Sequence, residues 1–293
     1  MIRRIAAGLG IALLTIAAAP PAPPPAAEPA ANVAAALPII DAAIASGRLE
    51  DAALIIARLA ATHDSPELRL RSAELALASA GPVEAITWFS TLTDVPETAA
   101  RARQGLGLAQ YRTGDHVAAQ KSLEAAVAAD PALLRSWIAL AAIADGKRDF
   151  AAADAAYAKA LAIDPNSAAA LTNRGYSLLL RDRAADAEAD LVRAAQIDPG
   201  LAVAQTNLRV ARAMQGKYRE AFAGSNKESL AADLNNVGFG ALARGDTHIA
   251  ETYFNRALSL NPRFDPIAWA NLRYLKSLTQ PLGTGVSDEE LPH

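Results

Sequence analysis

The chain has 293 residues, of which 52% are hydrophobic, 5% aromatic and 20% charged; its formal net charge is −3 and it contains no cysteine. Roughly a quarter of the positions are alanine, a residue of high helix propensity that adds little volume and lets helices approach closely, which argues against a strand-rich fold. No basic excess exists to neutralise nucleic-acid phosphates, and the missing cysteine excludes disulfides, thiolate metal sites, cysteine catalysis and a lipid joined through an N-terminal cysteine.

Arg3 and Arg4 precede an uncharged apolar run from Ile5 to Ala19. Fifteen helical residues reach about 22 Å, short of the ~30 Å hydrocarbon core, so residues 1–19 read as an export signal, with a retained N-terminal anchor as the alternative. Ala17, Ala18 and Ala19 supply small residues for cleavage, whereas Pro20 hinders a cut directly before it. Residues 20–32 (PPAPPPAAEPAAN) are proline- and alanine-rich and predict an extended spacer. Residues 279–293 (TQPLGTGVSDEELPH) lack periodicity and read as a flexible tail.

A 34-residue period fills the interval between them. Pro131, Pro165 and Pro199 are 34 apart, each ending a similar phrase (AVAADP, ALAIDP, AAQIDP), and ALSLNP ends at Pro262. With these prolines at position 32 of a unit, small residues fall at position 8 (Gly107, Ala141, Gly175, Gly238). Alanine falls at position 20 (Ala119, Ala153, Ala187, Ala250) and at position 27 (Ala126, Ala160, Ala194, Ala257), and a larger apolar side chain at position 24 (Leu123, Tyr157, Leu191, Phe254). This spacing fits a pair of antiparallel helices, A and B, in contact through the small positions, with position 24 filling the groove between them. Gly114, Gly216 and Gly245 mark inter-helix turns, and the Asp-Pro pairs stop helix B.

The pattern resembles the tetratricopeptide repeat. The resemblance implies an all-α, right-handed superhelical solenoid over residues 33–278, with seven units at 33–65, 66–99, 100–133, 134–167, 168–201, 202–230 and 231–264 and a capping helix at 265–278. Ala52 and Ala85 hold position 20 in the two weaker first units, Gly47 marks the first turn, and Pro38 places the start of the first helix near itself. The unit at 202–230 is short and puts Arg209 at the small position 8, which predicts a local opening there; it reads either as a drifted repeat tolerated by its neighbours or as a kink that angles the C-terminal units.

Catalytic and metal sites are not indicated, and no cofactor is implied. His63, His116, His248 and His293 do not lie at metal-ligand spacing, and the Gly105/Gly107 and Gly238/Gly240 pairs fall inside helices instead of following a strand. Asp186 and Asp190, four apart on a helix B, read as a solvated face. The chain is therefore expected to be a non-enzyme whose partners are protein or peptide segments, with no nucleic acid and with membrane contact only through the N-terminal segment if uncleaved.

In tetratricopeptide arrays the A helices line the concave groove. Asn173, Asn207 and Asn236 hold position 6 there and Asn271 follows in the cap, so these asparagines form a candidate ladder whose amides donate to and accept from an extended backbone. The same asparagines serve equally as local backbone caps in the family pattern. Tyr176, Leu179, Leu180, Val210, Met214, Phe239 and Leu242 predict apolar groove walls around them, while the N-terminal half offers Arg101, Gln104, Tyr111, Arg112 and Arg135. The ladder lacks the cationic neighbours that would hold an acidic peptide terminus, so the expected partner is an apolar segment, extended or helical, and not a charged C-terminal tail.

The stretch from Leu234 to Leu275 (LNNVGFGALARGDTHIAETYFNRALSLNPRFDPIAWANLRYL) is similar to the end of TadD-type proteins of tight-adherence (Flp) pilus assembly. That resemblance implies an envelope-located protein, periplasmic or membrane-associated, that assists pilus assembly and secretion; the absent cysteine departs from the lipoprotein anchoring common in that group. The other readings are a general periplasmic scaffold for outer-membrane or cell-wall assembly and the recruiting subunit of an enzyme complex.

Overall fold

Alanine-rich stretches broken at short intervals by turn residues leave little choice but short helices, and the computed structural model, which describes residues 29–79, 81–260 and 266–279, is built of helices and the turns between them. Among the described residues there are fifteen helices and no strand. They run as pairs: α1 (Pro29–Ala45) with α2 (Leu49–Ala60), α3 (Pro66–Ala78) with α4 (Pro82–Ser90), α5 (Ala99–Arg112) with α6 (His116–Ala129), and α7 (Leu134–Gly146) with α8 (Phe150–Ile163). α9 (Ala168–Leu179) pairs with α10 (Ala184–Ile197), α11 (Ala202–Met214) with the short α12 (Tyr218–Ala221), and α13 (Leu230–Arg244) with α14 (Thr247–Leu260), and α15 (Pro266–Thr279) covers the last pair. Each helix packs on its partner and on the next pair, which makes a helix-pair superhelix whose odd-numbered helices form the inner face.

The small positions are the points of closest approach. The position-20 and position-27 alanines of the units 100–133, 134–167, 168–201 and 231–264 are fully buried, and so, within 1%, are Leu123, Tyr157, Leu191 and Phe254 at position 24. A Cβ added to Gly107 would stand 2.6 Å from the Cγ of Leu123, one on Gly175 2.7 Å from the Cγ of Leu191, and one on Gly238 2.8 Å from the Cε1 of Phe254. Position 8 is thus kept small by position 24 of the same unit. Where Tyr157 occupies position 24, Ala141 packs against it in the same cluster.

Helix ends follow the local chemistry. Asp130, Asp164 and Asp198 adopt the extended conformation that the following proline imposes, and each carboxylate accepts from the backbone N–H two residues on. Asp115 and Asp149 cap α6 and α8 by accepting from the N–H of Ala118 and Ala152. The inter-helix turn is left-handed at position 15 whatever residue stands there: Gly47, Gly114, Gly216 and Gly245, but also Arg148 and Asp182. No glycine announces the last two turns in the sequence.

Four expectations require correction. Helix α1 begins at Pro29, inside the stretch expected to be spacer, and continues through Pro38. Pro38 is exposed, so solvent can serve the carbonyl it leaves unbonded, while the burial of Val33, Ile40 and Ala43 holds the helix together across it. Arg209 opens nothing: its guanidinium, 11% exposed, forms an ion pair at 3.0 Å with Asp233, 7% exposed, on α13. Helix B of that unit is reduced to the single turn α12, so α11 and α13 pack directly, and a Cβ on Gly240 would meet Ala213 at 2.5 Å. Asp190 does not face solvent. It is buried and accepts two hydrogen bonds from Arg174, at 2.6 and 2.7 Å, while Asp186 alone is exposed and pairs with Arg183. The signal segment 1–19 and the tail beyond Thr279 lie outside the described residues.

Candidate peptide-binding groove

The inner face of the N-terminal half is a charged trough. Helices α1, α3, α5 and α7, with Phe89 of α4 beneath them, enclose a cavity of about 550 Å³. Gly105 at position 6 leaves the space that Phe89 fills, since a Cβ there would stand 2.3 Å from the ring. Across this surface Arg71 donates to both carboxylate oxygens of Asp41 at 3.1 and 2.9 Å, and Arg101 reaches both Glu74, at 2.9 Å, and Asp41, at 3.3 Å. Three successive inner helices are thereby tied together. Burial alone raises a carboxyl pKa, but at Asp41 the hydrogen bonds from Arg71 and Arg101 outweigh it and the net shift is downward. At Glu74 burial dominates over the two arginines and the shift is upward. Arg112 donates to the carbonyl of Leu77, and Gln104 accepts from Ser136 at 3.2 Å.

A second cavity of about 690 Å³ follows, framed by α5, α7 and α9. Its walls are apolar, with Leu108, Ile138 and Leu180, and two tyrosines, Tyr111 and Tyr176, present rings to it. Asp145 at its base is buried and accepts from the hydroxyls of Tyr157, at 2.9 Å, and Ser177, at 2.5 Å. Desolvation and that neighbouring carboxylate push the Tyr157 hydroxyl pKa upward, so it stays a hydrogen-bond donor at neutral pH. Arg135, Leu108 and Tyr111 line both cavities, so the two form one trough joined at these residues.

The candidate asparagines divide into two kinds. Asn173, Asn207 and Asn236 are half-buried on α9, α11 and α13 and make no hydrogen bond within the described residues, and Asn173 lines the second cavity. Asn271 on α15 is engaged instead, its amide donating to Oδ1 of the buried Asn235 at 3.0 Å. Asn271 sits one position further along its helix than the others, which turns it toward α13. Of the expected walls, Tyr176, Leu180 and Phe239 are 40 to 50% exposed and Met214 is half-buried. Leu179 and Leu242 are half-buried and pack on neighbouring core clusters. Val210 departs from its expected place: it is buried, because direct packing of α13 on α11 at Gly240 covers it. The sequence pattern did not mark Asp145, Phe89 and Glu74 as groove components; only Asp145, an acidic side chain on the largely apolar α7, carried a signal. Among the described residues no cluster of three or more His, Asp and Glu is placed to hold a metal ion.

Residues 100–133 and 134–167 match the family model described as Tetratricopeptide repeat. No curated protein is similar in sequence. Among solved structures, the chain is similar to that of an APC/C hetero-tetramer, Cut9–Hcn1, with a TM-score of 0.65 at 16% identity, over 80% of this chain and 48% of that one, so it spans about half the length of that relative. It is similar to a tetratricopeptide repeat protein from Parabacteroides merdae, with a TM-score of 0.51 at 13% identity over 84% and 99% of the two chains. It is also similar to PilW, described as a widely conserved type IV pilus biogenesis factor, with a TM-score of 0.48 at 22% identity over 61% and 84%. At such identities the likeness is one of fold. Fold and groove define a helix-pair solenoid with a continuous trough along its inner face. Residues 100–167 of this chain are tetratricopeptide repeats.

Proposed function

We propose that the chain is an exported, non-catalytic scaffold that holds extended segments of partner proteins along its inner face. The observation that carries this reading is the run of Asn173, Asn207 and Asn236 on three successive inner helices, each half-buried and each without a hydrogen-bond partner within the described residues. Amides that serve no internal bond are free to pair with the backbone of a visiting chain, and Tyr176, Leu180 and Phe239 beside them offer apolar surface that a bound segment would cover. Export is inferred from the signal-like residues 1–19. A role in tight-adherence pilus assembly is inferred from the resemblance of Leu234 to Leu275 to TadD-type proteins, and attachment to the envelope would then run through the N-terminal segment or a partner.

Because Asn207 and Asn236 make no internal hydrogen bond, replacing both with alanine should leave stability within about 0.5 kcal/mol. The Asn207→Ala/Asn236→Ala variant is expected to retain helicity and melting temperature yet to capture several-fold less partner in crosslinking pull-downs from envelope fractions. Capture equal to the parent's would assign the asparagines a structural role and remove the basis for the ladder. Mass spectrometry of the recovered bait's N-terminus reports in the same experiment whether the leader has been removed.

A further inference from the structure

Arg135 differs from every other guanidinium around it. Arg71 is bound to Asp41, Arg101 to Glu74 and Asp41, and Arg112 to the carbonyl of Leu77, whereas Arg135 makes neither an ion pair nor a hydrogen bond within the described residues. Both carboxylates that line the first cavity are already spent on Arg71 and Arg101. Three guanidiniums, those of Arg101, Arg112 and Arg135, line that cavity against two carboxylates, Asp41 and Glu74, so this surface is positive on a chain whose overall charge is −3. Arg135 is open to water along the trough, yet the protein around it strips part of its hydration and presses its pKa downward.

A segment laid over such a group must supply what it displaces. A guanidinium has five N–H donors in a planar fork, and covering it with purely apolar surface would leave those donors desolvated and unpaired, which opposes binding. A carboxylate matches the fork with two parallel hydrogen bonds. The position of Arg135 also says where that carboxylate lies in the visiting chain. The trough continues past Arg135 on both sides, toward Leu77 and Phe89 in one direction and toward Ile138, Tyr176 and Leu180 in the other. A chain that fills both cavities passes over Arg135 in its middle. In an extended chain alternate side chains share a face, so residues two before and two after the acidic one would face the apolar parts of the two cavities, beside Leu77 and Leu108 in the first and beside Ile138 and Leu180 in the second.

Granting that partner segments bind in the groove, we propose that the junction at Arg135 selects extended segments of protein partners carrying an internal Asp or Glu flanked at two residues' distance by apolar side chains. The expected partner is therefore neither wholly apolar nor anchored by a terminal carboxylate.

The test uses the full chain and pools of N-acetylated, C-amidated, fluorescently labelled decapeptides. Each pool has Glu, Gln or Lys fixed at the centre, mixed Leu, Ile, Val and Phe two residues to either side, and alanine and serine elsewhere. Fluorescence anisotropy titrations should show the Glu pool binding at least about tenfold more tightly than the Gln pool. Arg135→Gln should abolish that preference, so that the Glu and Gln pools bind alike, and Arg135→Glu should shift the preference to the Lys pool; because Arg135 is exposed, both variants should keep the parent's circular dichroism melt. Equal binding of the Glu and Gln pools by the parent, or a Glu preference that survives Arg135→Gln, overturns the proposal. If the Gln and Glu pools bind equally and Asn207→Ala/Asn236→Ala weakens both, peptide capture by the groove stands and acidic selection fails. If no pool binds, both fail.

Discussion

The same substitution at two helical glycines should change stability in opposite directions. Gly175 on α9 faces Leu191: an added Cβ would lie 2.7 Å from its Cγ, 2.9 Å from Cδ2 and 3.3 Å from Cδ1, against the 3.5–4.0 Å of an ordinary carbon contact. Leu191 is fully buried, so α9 and α10 must separate by about 1 Å or the leucine must leave its rotamer. Overpacking of this kind costs about 1–3 kcal/mol, and the higher helix propensity of alanine returns about 1 kcal/mol, so Gly175→Ala should destabilise by about 1 kcal/mol. Gly146 ends α7 with nothing within 4 Å of its would-be Cβ; Gly146→Ala keeps only the propensity gain, about 0.5 kcal/mol at a helix end. The assay is chemical denaturation followed by circular dichroism at 222 nm. Leu191→Ala alone should cost about 2–5 kcal/mol, and combined with Gly175→Ala the total should fall about 1 kcal/mol short of the sum, because the cavity accepts the new methyl. If Gly175→Ala stabilises as much as Gly146→Ala, contact between positions 8 and 24 is not what keeps position 8 small.

Two further perturbations probe the polar interior. Asp233→Ala should destabilise by about 3 kcal/mol, because it strands the largely covered Arg209 cation, whereas Arg209→Ala/Asp233→Ala should be less damaging than the single Asp233 change; an Asp233→Ala melt within about 0.5 kcal/mol of the parent would show that Arg209 finds another partner. Glu188 accepts from Arg212, Gln215 and Lys217 at 2.9, 2.9 and 2.7 Å. Burial works to raise its pKa, but these donors and the Lys217 charge overcome it and lower the pKa from 4.5 to about 2. A carboxyl depressed in the folded state contributes stability that is complete above its unfolded pKa and is lost as pH falls through the folded one. About 2 kcal/mol, after allowing for solvent screening, should therefore disappear between pH 4.5 and pH 2. Glu188→Gln should flatten that limb of the pH–stability curve, and an unchanged limb would locate the acid sensitivity elsewhere.

The repeat register was legible because its rules act within one unit. Gly107, Gly175 and Gly238 lie 16 residues from Leu123, Leu191 and Phe254, and size complementarity across so short a helical hairpin leaves a periodic mark in the sequence. The Asp-Pro stops are more local still, since the extended conformation and the Asp hydrogen bond arise within three residues. Pro38 was misread because helix propensity was weighed without the burial of Ile40 and Ala43, and that burial depends on α2 and α3. The left-handed turns at Arg148 and Asp182 were not legible because no glycine stands at position 15 in those units, although the backbone adopts the same positive φ there.

The sequence by itself determined an all-helical stack of pairs, its period, and the identity of the inner helices with their asparagines and arginines. Which of those side chains remain available to a partner was decided by tertiary structure alone. Asp41 meets Arg71 across 30 residues and Arg101 across 60, Arg174 finds Asp190 on the adjacent helix, and Asn271 finds Asn235 across 36. Arg135 is left without an ion pair or hydrogen bond among the described residues, beside carboxylates that Arg71 and Arg101 already engage. Pairing of charges and amides depends on where the superhelix brings side chains from different units, a three-dimensional distance that a repeat spaced every 34 residues does not encode.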